Sequence, residues 1–296
     1  MELELVAEGL GFPEGPVAMA DGSVILTEIV NACLTRVQAD GRIERLVETG
    51  GGPNGAAVGP DGMIWIANNG GAFTYHERAG LMIPGDTPAT HQGGSIQRFD
   101  LARGALETVH DGLIAPNDLV FDSSGGLWFT DHGCTTADGR RFGALHYAKD
   151  GRVSRQRGGL IGPNGVGLSP DERVVYVADT YLQRLWAFDV AEPGELAPAH
   201  GPAPGRVVAN LAGYQLLDSL AVEAGGKICV ATIVNGGITI FEPDGATEHV
   251  AVPDPVTTNI CFGGEDMRTA WITAGATGRL YKKRWPRPGL KLAFNA

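Results

Sequence analysis

The sequence predicts an all-β protein: a single six-bladed β-propeller domain over residues 1–296, with four antiparallel strands per blade. Three observations carry that expectation. A phrase recurs along the chain: an apolar run, a tight turn, then a second β-branched run ending in a polar pair. A carboxylate or carboxamide stands at one register before each phrase, at Glu14, Asn54, Asn117, Asn164, Asp218 and Asn259, in steps of 40, 63, 47, 54 and 41 residues. Repeats of roughly 40–50 residues with four strands each mark propellers. Finally, no stretch of eleven or more residues keeps a clean helical period, so little helix is expected.

The elements follow in order. The first phrase runs Gly15 to Met19, turns at Ala20-Asp21-Gly22, and returns over Ser23 to Glu28. The second runs Ala56 to Gly59, turns at Pro60-Asp61-Gly62, and returns over Met63 to Asn68. The third pairs Leu119–Phe121 with Leu127–Asp131, and the fourth pairs Val166–Leu168 with Val174–Asp179. Asp-Gly and Pro-Asp pairs suit hairpin turns, and the flanking β-branched and aromatic runs suit strands. Third strands are expected at 95–100, 185–189 and 237–241, and weaker fourth strands such as 43–47. The last phrase offers no convincing outer strand after Pro286. The N-terminal segment Glu2 to Ala7 is expected to fill that place and close the ring.

Bulk composition narrows the function. Hydrophobic content of 43% and charged content of 19% describe a globular protein with a substantial core. A net charge of -11 argues against nucleic acid or anionic membrane as partners. No stretch reaches the length of a membrane span, and Met1-Glu2-Leu3-Glu4-Leu5 lacks the basic start and apolar run of a signal peptide. Cys33, Cys134, Cys229 and Cys261 show no paired metal spacing, so they read as reduced thiols in a cytoplasmic protein. The run Gly50 to Gly55 matches a dinucleotide-binding fingerprint, but a proline interrupts it and a strand follows, so nucleotide binding is set aside.

In an antiparallel blade the start of the innermost strand and the end of the second lie at one edge. The six register residues therefore share a face with Glu28, Asn68-Asn69, Asp131-His132 and Asp179-Thr180. Two long connections, Gly70 to Gly94 and roughly Gly133 to Gly143, must rise over it; the first, with Phe73, Tyr75, Leu81, Met82 and Ile83, suits a lid without structure of its own. Glu14 and Asp218 supply two negative charges that balance a divalent ion, Asn117 and Asn164 add amide oxygens, and water completes a hard-ion shell. Asn54 and Asn259 support these from behind. Asn54, Asn117, Asn259, His132 and Tyr75 are the candidate substrate contacts.

The chain resembles the SMP-30/gluconolactonase/regucalcin-like family of six-bladed propellers. The marks are Phe12-Pro13-Glu14-Gly15-Pro16, Pro163-Asn164-Gly165-Val166, Leu217-Asp218-Ser219-Leu220 and Thr258-Asn259-Ile260-Cys261-Phe262-Gly263-Gly264, with Arg279-Leu280-Tyr281 and Trp285-Pro286. The resemblance implies one divalent ion (Ca²⁺, Zn²⁺, Mg²⁺ or Mn²⁺) on Glu14, Asn164 and Asp218, with Asn117 as ligand or substrate contact. It also implies a lactone, sugar-derived or other, as substrate and Asp218 as the catalytic carboxylate. One departure stands out: the animal branch carries an Arg two residues before the Asn matching Asn117, and this chain has Ala115. Two rivals to lactone hydrolysis are phosphotriester hydrolysis on the same site and a non-catalytic binding platform.

Overall fold

In a computed structural model, which describes residues 2–135, 142–199 and 201–295, every regular element is a strand. Six antiparallel sheets succeed one another along the chain. The first comprises Pro13–Ala18, Val24–Glu28, Cys33–Val37 and Ile43–Glu48, and the second Pro53–Val58, Ile64–Asn68, Gly94–Asp100 and Ala105–Leu113. The third comprises Pro116–Phe121, Leu127–Asp131, Gly143–Lys149 and Arg152–Leu160. The fourth holds Pro163–Leu168, Val174–Asp179 and Arg184–Glu192, with Glu195–Leu196 and Arg206–Asn210 both pairing the last of these. The fifth comprises Leu216–Val222, Ile228–Ile233, Gly237–Phe241 and Thr247–Ala251. The sixth holds Thr257–Gly263, Thr269–Ala274 and Arg279–Arg284, and its outer strand is N-terminal, Glu4–Glu8. The innermost strands touch in sequence and the sixth touches the first, so the sheets form a closed ring of six blades.

Burial falls from axis to rim. The second strands Val24–Glu28 and Leu127–Asp131 are buried throughout, whereas the outer strand Ile43–Glu48 has no buried residue. Apolar clusters fill the wedges between neighbouring blades; one joins Trp128 and Tyr147 of the third blade to Val166, Val177 and Trp186 of the fourth. The four cysteines are unpaired thiols. Among the described residues no helix is long and apolar enough to cross a membrane.

The register residues differ from expectation in one respect. They stand inside the innermost strands rather than before them, each at a β-bulge: the pairing slips between Glu14 and Val17, Pro53 and Ala56, Pro116 and Leu119, Pro163 and Val166, Leu217 and Leu220, and Thr257 and Asn259. A bulge adds an unpaired residue and re-aims the side chains beside it. Six bulges at one end of six inner strands gather those side chains about the axis.

Candidate active site

The bulged backbone is clamped from the neighbouring blade. Thr27 Oγ1 donates to the Asn54 carbonyl at 2.5 Å, Thr130 Oγ1 to that of Asn164 at 2.5 Å, Thr180 Oγ1 to that of Leu217 at 2.8 Å and Thr258 Oγ1 to that of Pro13 at 2.8 Å. Within a blade, the polar residue ending the second strand braces the chain entering the first. Glu28 accepts from Gly11 N at 2.6 Å, Asn68 Oδ1 from Gly52 N at 2.9 Å, Asp131 from Ile114 N and Ala115 N at 2.8 Å, and Asp179 from Ile161 N at 3.0 Å. Glu28, Asp131 and Asp179 thus brace the chain beside the site and do not line the cavity that opens over it, although Asp179 Oδ1 is itself buried without a hydrogen bond.

At the axis, Glu14 accepts from Gly15 N at 2.6 Å and from Asn259 Nδ2 at 2.7 Å through Oε2. Ser219 Oγ lies 3.2 Å from both Glu14 Oε1 and Asn164 Oδ1 and donates to one at a time. Asn164 also hydrogen-bonds Asp218. The Oδ1 atoms of Asn54 and Asn117 are buried and accept no hydrogen bond. An unmet buried carbonyl oxygen is costly, and two of them on one cavity floor describe places for a donor or a cation.

The electrostatics point the same way. Burial, followed by the charges of Asp218 and Asp118, pushes Glu14 well above the usual carboxylate range. Burial raises Asp218 to about 8; the Asn164 hydrogen bond opposes this and the Asp118 charge adds to it. Asp118, which the sequence reading passed over, is raised by burial to about 7 despite accepting from Leu119 N at 2.9 Å and Val166 N at 3.2 Å. No basic side chain figures among the main influences on these three carboxyls. Among the described residues no three His, Cys or carboxylate groups gather as a metal cluster, so any ion here relies on carboxamide oxygens as well.

Above this floor opens a cavity of about 610 Å³. Glu14, Asn54, Asn117, Asn164 and Asp218 all line it, as do Tyr75 and His132. Asn259 does not. Its Oδ1 accepts from Ile260 N at 2.7 Å and its amide faces Glu14, which places it behind Glu14, the supporting position the sequence also offered, and off the cavity wall expected of a substrate contact. His132 is buried between the rings of Phe73 and Tyr181, at 5.3 and 5.7 Å. Burial, then Asp218 and Glu14, raise the Tyr75 phenol, so its oxygen keeps its proton.

The connection from Gly70 to Gly94 does cover this face, but it has structure of its own: Tyr75–Arg78 pairs with Leu81–Pro84 as a hairpin. The hairpin crosses from the second blade to the sixth, where Met82 N donates to the Ala276 carbonyl at 2.9 Å. Of the other expected lid, Gly133 to Gly143, residues 136–141 lie outside the described residues.

A ring of bulged strands carrying buried acids and amides beneath an open vault defines a propeller with an axial cavity. The chain belongs to the SMP-30/gluconolactonase/LRE-like family, whose model matches residues 12–276. A gluconolactonase of Zymomonas mobilis is 29% identical across 92% of this chain and 78% of its own length. The pentonolactonase XacC of Haloferax volcanii is 28% identical across 70% of this chain and 64% of its own length. Among solved structures, the gluconolactonase XC5397 of Xanthomonas campestris superposes with a TM-score of 0.75 at 23% identity, covering 96% of this chain and 89% of that one. The calcium-binding protein regucalcin of Agrobacterium tumefaciens also gives 0.75, at 19% identity and 98% coverage of both chains. At such identities the structural likenesses speak for the fold.

Proposed function

We propose that this protein is a divalent-metal-dependent lactonase, with Glu14, Asn117, Asn164 and Asp218 holding the ion and Asp218 also serving as general base. The observation that carries the reading is the floor itself: Glu14 and Asp218, buried without a basic partner, beside two carboxamide oxygens that accept no hydrogen bond. This donor set fits a hard cation, which takes carboxylate and amide oxygens together. The relatives that are lactonases supply the reaction class.

When bound, a divalent ion supplies Lewis-acid polarisation of the lactone carbonyl and charge to stabilise the oxyanion. Asp218 accepts the proton of the attacking water; that proton then passes to the ring oxygen as the acyl–oxygen bond breaks, leaving a hydroxy acid. Burial, with the Asn164 hydrogen bond opposing it and the Asp118 charge adding to it, raises Asp218 to about 8, so positive charge beside it favours the ionised form at neutral pH. Asn259 and Ser219 keep Glu14 and Asn164 aimed at the axis. His132 and Tyr75 flank the bound ring from the cavity wall. A binding platform gives no reason to bury uncompensated acids on the axis.

The test compares two variants at metal saturation. Asp218→Asn keeps an amide oxygen but no base, so turnover of lactones should fall by roughly 10²- to 10⁴-fold and stay low. Asn164→Ala loses a neutral ligand, and its activity should recover in part as metal is raised. Near-parent rates for Asp218→Asn at saturation would reduce Asp218 to a ligand. No rise in melting temperature with Ca²⁺, Zn²⁺, Mg²⁺ or Mn²⁺ would remove the metal from the proposal.

A further inference from the structure

The carboxylates and carboxamides of the cavity lie on its floor, and much of the wall is of another character. One apolar cluster on this face, built on Phe12, Ile29 and Val256 with Leu81, Ile83 and Ile233 packed on it, supplies a continuous side of the vault. It joins the first, fifth and sixth blades to the hairpin of the second. Val234 and the rings of Tyr181 and Tyr214 extend the wall toward solvent and remain 49%, 43% and 71% exposed. Thr180, a polar wall residue, spends its hydroxyl on the Leu217 carbonyl. Among the described lining residues there is no Arg or Lys.

The backbone adds an independent sign. Phe12 and Val234 both line the cavity and both hold positive φ, 57° and 87°. Left-handed backbone is unfavourable for side chains of this bulk, and for a β-branched residue it is an outlier. Strain of that kind persists where the surrounding structure imposes it, commonly at ligand sites. Here it presents two apolar side chains to the vault where glycine would be relaxed.

We infer that the substrate is a lactone carrying an aliphatic chain, its ring on the polar floor and its chain along the Phe12–Val256–hairpin wall, rather than a polyhydroxylated sugar lactone; this rests on the lactonase reading above. Each hydroxyl of a sugar lactone leaves water to enter the vault and needs a partner there. The floor oxygens are acceptors directed to the axis, and the stretch of wall built from Phe12, Ile29, Val256, Leu81, Ile83 and Ile233 offers no side-chain partner. An alkyl chain gains from the same surface. A cavity of about 610 Å³ also exceeds what the lactone ring alone occupies and falls within the range of sites that enclose larger ligands.

The experiment uses the full-length protein loaded with its activating divalent ion and follows proton release. The substrates are γ-lactones with ring substituents lengthened from methyl to hexyl, alongside glucono-δ-lactone. kcat/KM should rise with chain length, by up to about fourfold per methylene, the equivalent of about 0.8 kcal/mol of apolar burial. The hexyl lactone should exceed glucono-δ-lactone by at least tenfold. Leu81→Ser and Ile233→Thr, each checked for an intact melting transition, should lower kcat/KM for the hexyl lactone at least fivefold more than for the methyl lactone. A flat or falling series, or glucono-δ-lactone as the better substrate, would overturn the aliphatic class while leaving the lactonase reading standing. Failure to open any of these lactones with metal bound would remove both.

Discussion

Glu14, Asp118 and Asp218 are each raised by burial, and Glu14 and Asp218 also feel the charge of Asp118. A carboxyl raised in the fold binds its proton more tightly folded than unfolded. Its contribution to stability is therefore greatest below the ordinary carboxylate range and is lost as pH rises through the folded values, about 7 for Asp118 and about 8 for Asp218. His110 and His146 are lowered by burial and work oppositely near their own range, and the buried thiols Cys33, Cys229 and Cys261, raised by burial, add their own loss above about pH 8, so the clean window is roughly pH 7 to 8. Metal-free protein should melt several degrees lower at the top of that window than at the bottom. The gain on adding a saturating divalent ion should widen over the same interval, because the ion takes the place of the protons. Scanning fluorimetry across a pH series, with and without chelator, reads both; a metal-free melting temperature that holds level would show that these acids are already compensated. The six axial positions were legible because a carboxylate or carboxamide recurred at one register before an apolar run, beside proline or glycine at Glu14, Asn54, Asn117 and Asn164. Asp118 was not, because in the sequence it is only the neighbour of Asn117. The bulge separates the two, leaving Asn117 on the upper cavity and Asp118 on the smaller one beneath it.

At the scale of elements, the hairpin pairs were the most legible part: Leu127–Asp131 and Val174–Asp179 stand within the ends read from the sequence. Burial on both faces keeps such strands unbroken in apolar residues, and polar turns bound them. The fourth strands were weaker signals because the rim is wet and imposes little pattern, as the exposed Ile43–Glu48 shows. The bulges were invisible as such, although the glycines beside them were not. Gly165 follows Asn164, and a Cβ there would lie 2.6 Å from Leu220 N and 2.8 Å from Ser219 Cα, both backbone atoms of the next blade. Neither can swing aside, so the absence of a side chain sets how closely the fourth and fifth blades approach at the axis. Gly165→Ala should force Asn164 and Asp218 apart, weakening metal binding by about tenfold or more, with a cost of about 1–3 kcal/mol in overpacking. Isothermal titration with the activating metal checks the first part and denaturant melts the second. Unchanged affinity would mean that Asn164 and Asp218 do not share a ligand.

The whole molecule depends on its two ends in different ways. Glu4–Glu8 completes the sixth blade by pairing with Arg279–Arg284, with Lys282 and Glu4 in contact at 2.9 Å, so the ring is closed by strands from opposite ends of the chain. That closure was foreseeable because the last phrase lacked an outer strand. The role of the residues after Trp285 was not, because the segment has no period to read. Trp285 Nε1 donates to Glu223 at 2.7 Å and Arg287 Nε to the same carboxylate at 2.6 Å, which tethers the tail to the fifth blade. Leu290 N then donates to the Val222 carbonyl at 2.8 Å, Leu290 and Leu292 line the small cavity of about 90 Å³ under the site, and Phe294 meets Phe121 of the third blade edge-on. The tail thus closes the axial channel at the end opposite the vault. Removing residues 1–8 should leave a three-stranded sixth blade with an open edge, a broad unfolding transition and no measurable metal binding, because Glu14 and Asn259 lose their fixed separation. Removing residues 288–296 should leave the ring shut. It exposes apolar channel residues and costs a few kcal/mol, lowering the melting temperature by roughly 5–15 °C. Metal affinity should stay within about threefold of the parent, since none of the proposed ligands lies on the tail. If tail removal instead abolished metal binding while the transition stayed sharp, the channel floor would be part of the site, and Asp118, which it covers, would have to be counted among the ligands.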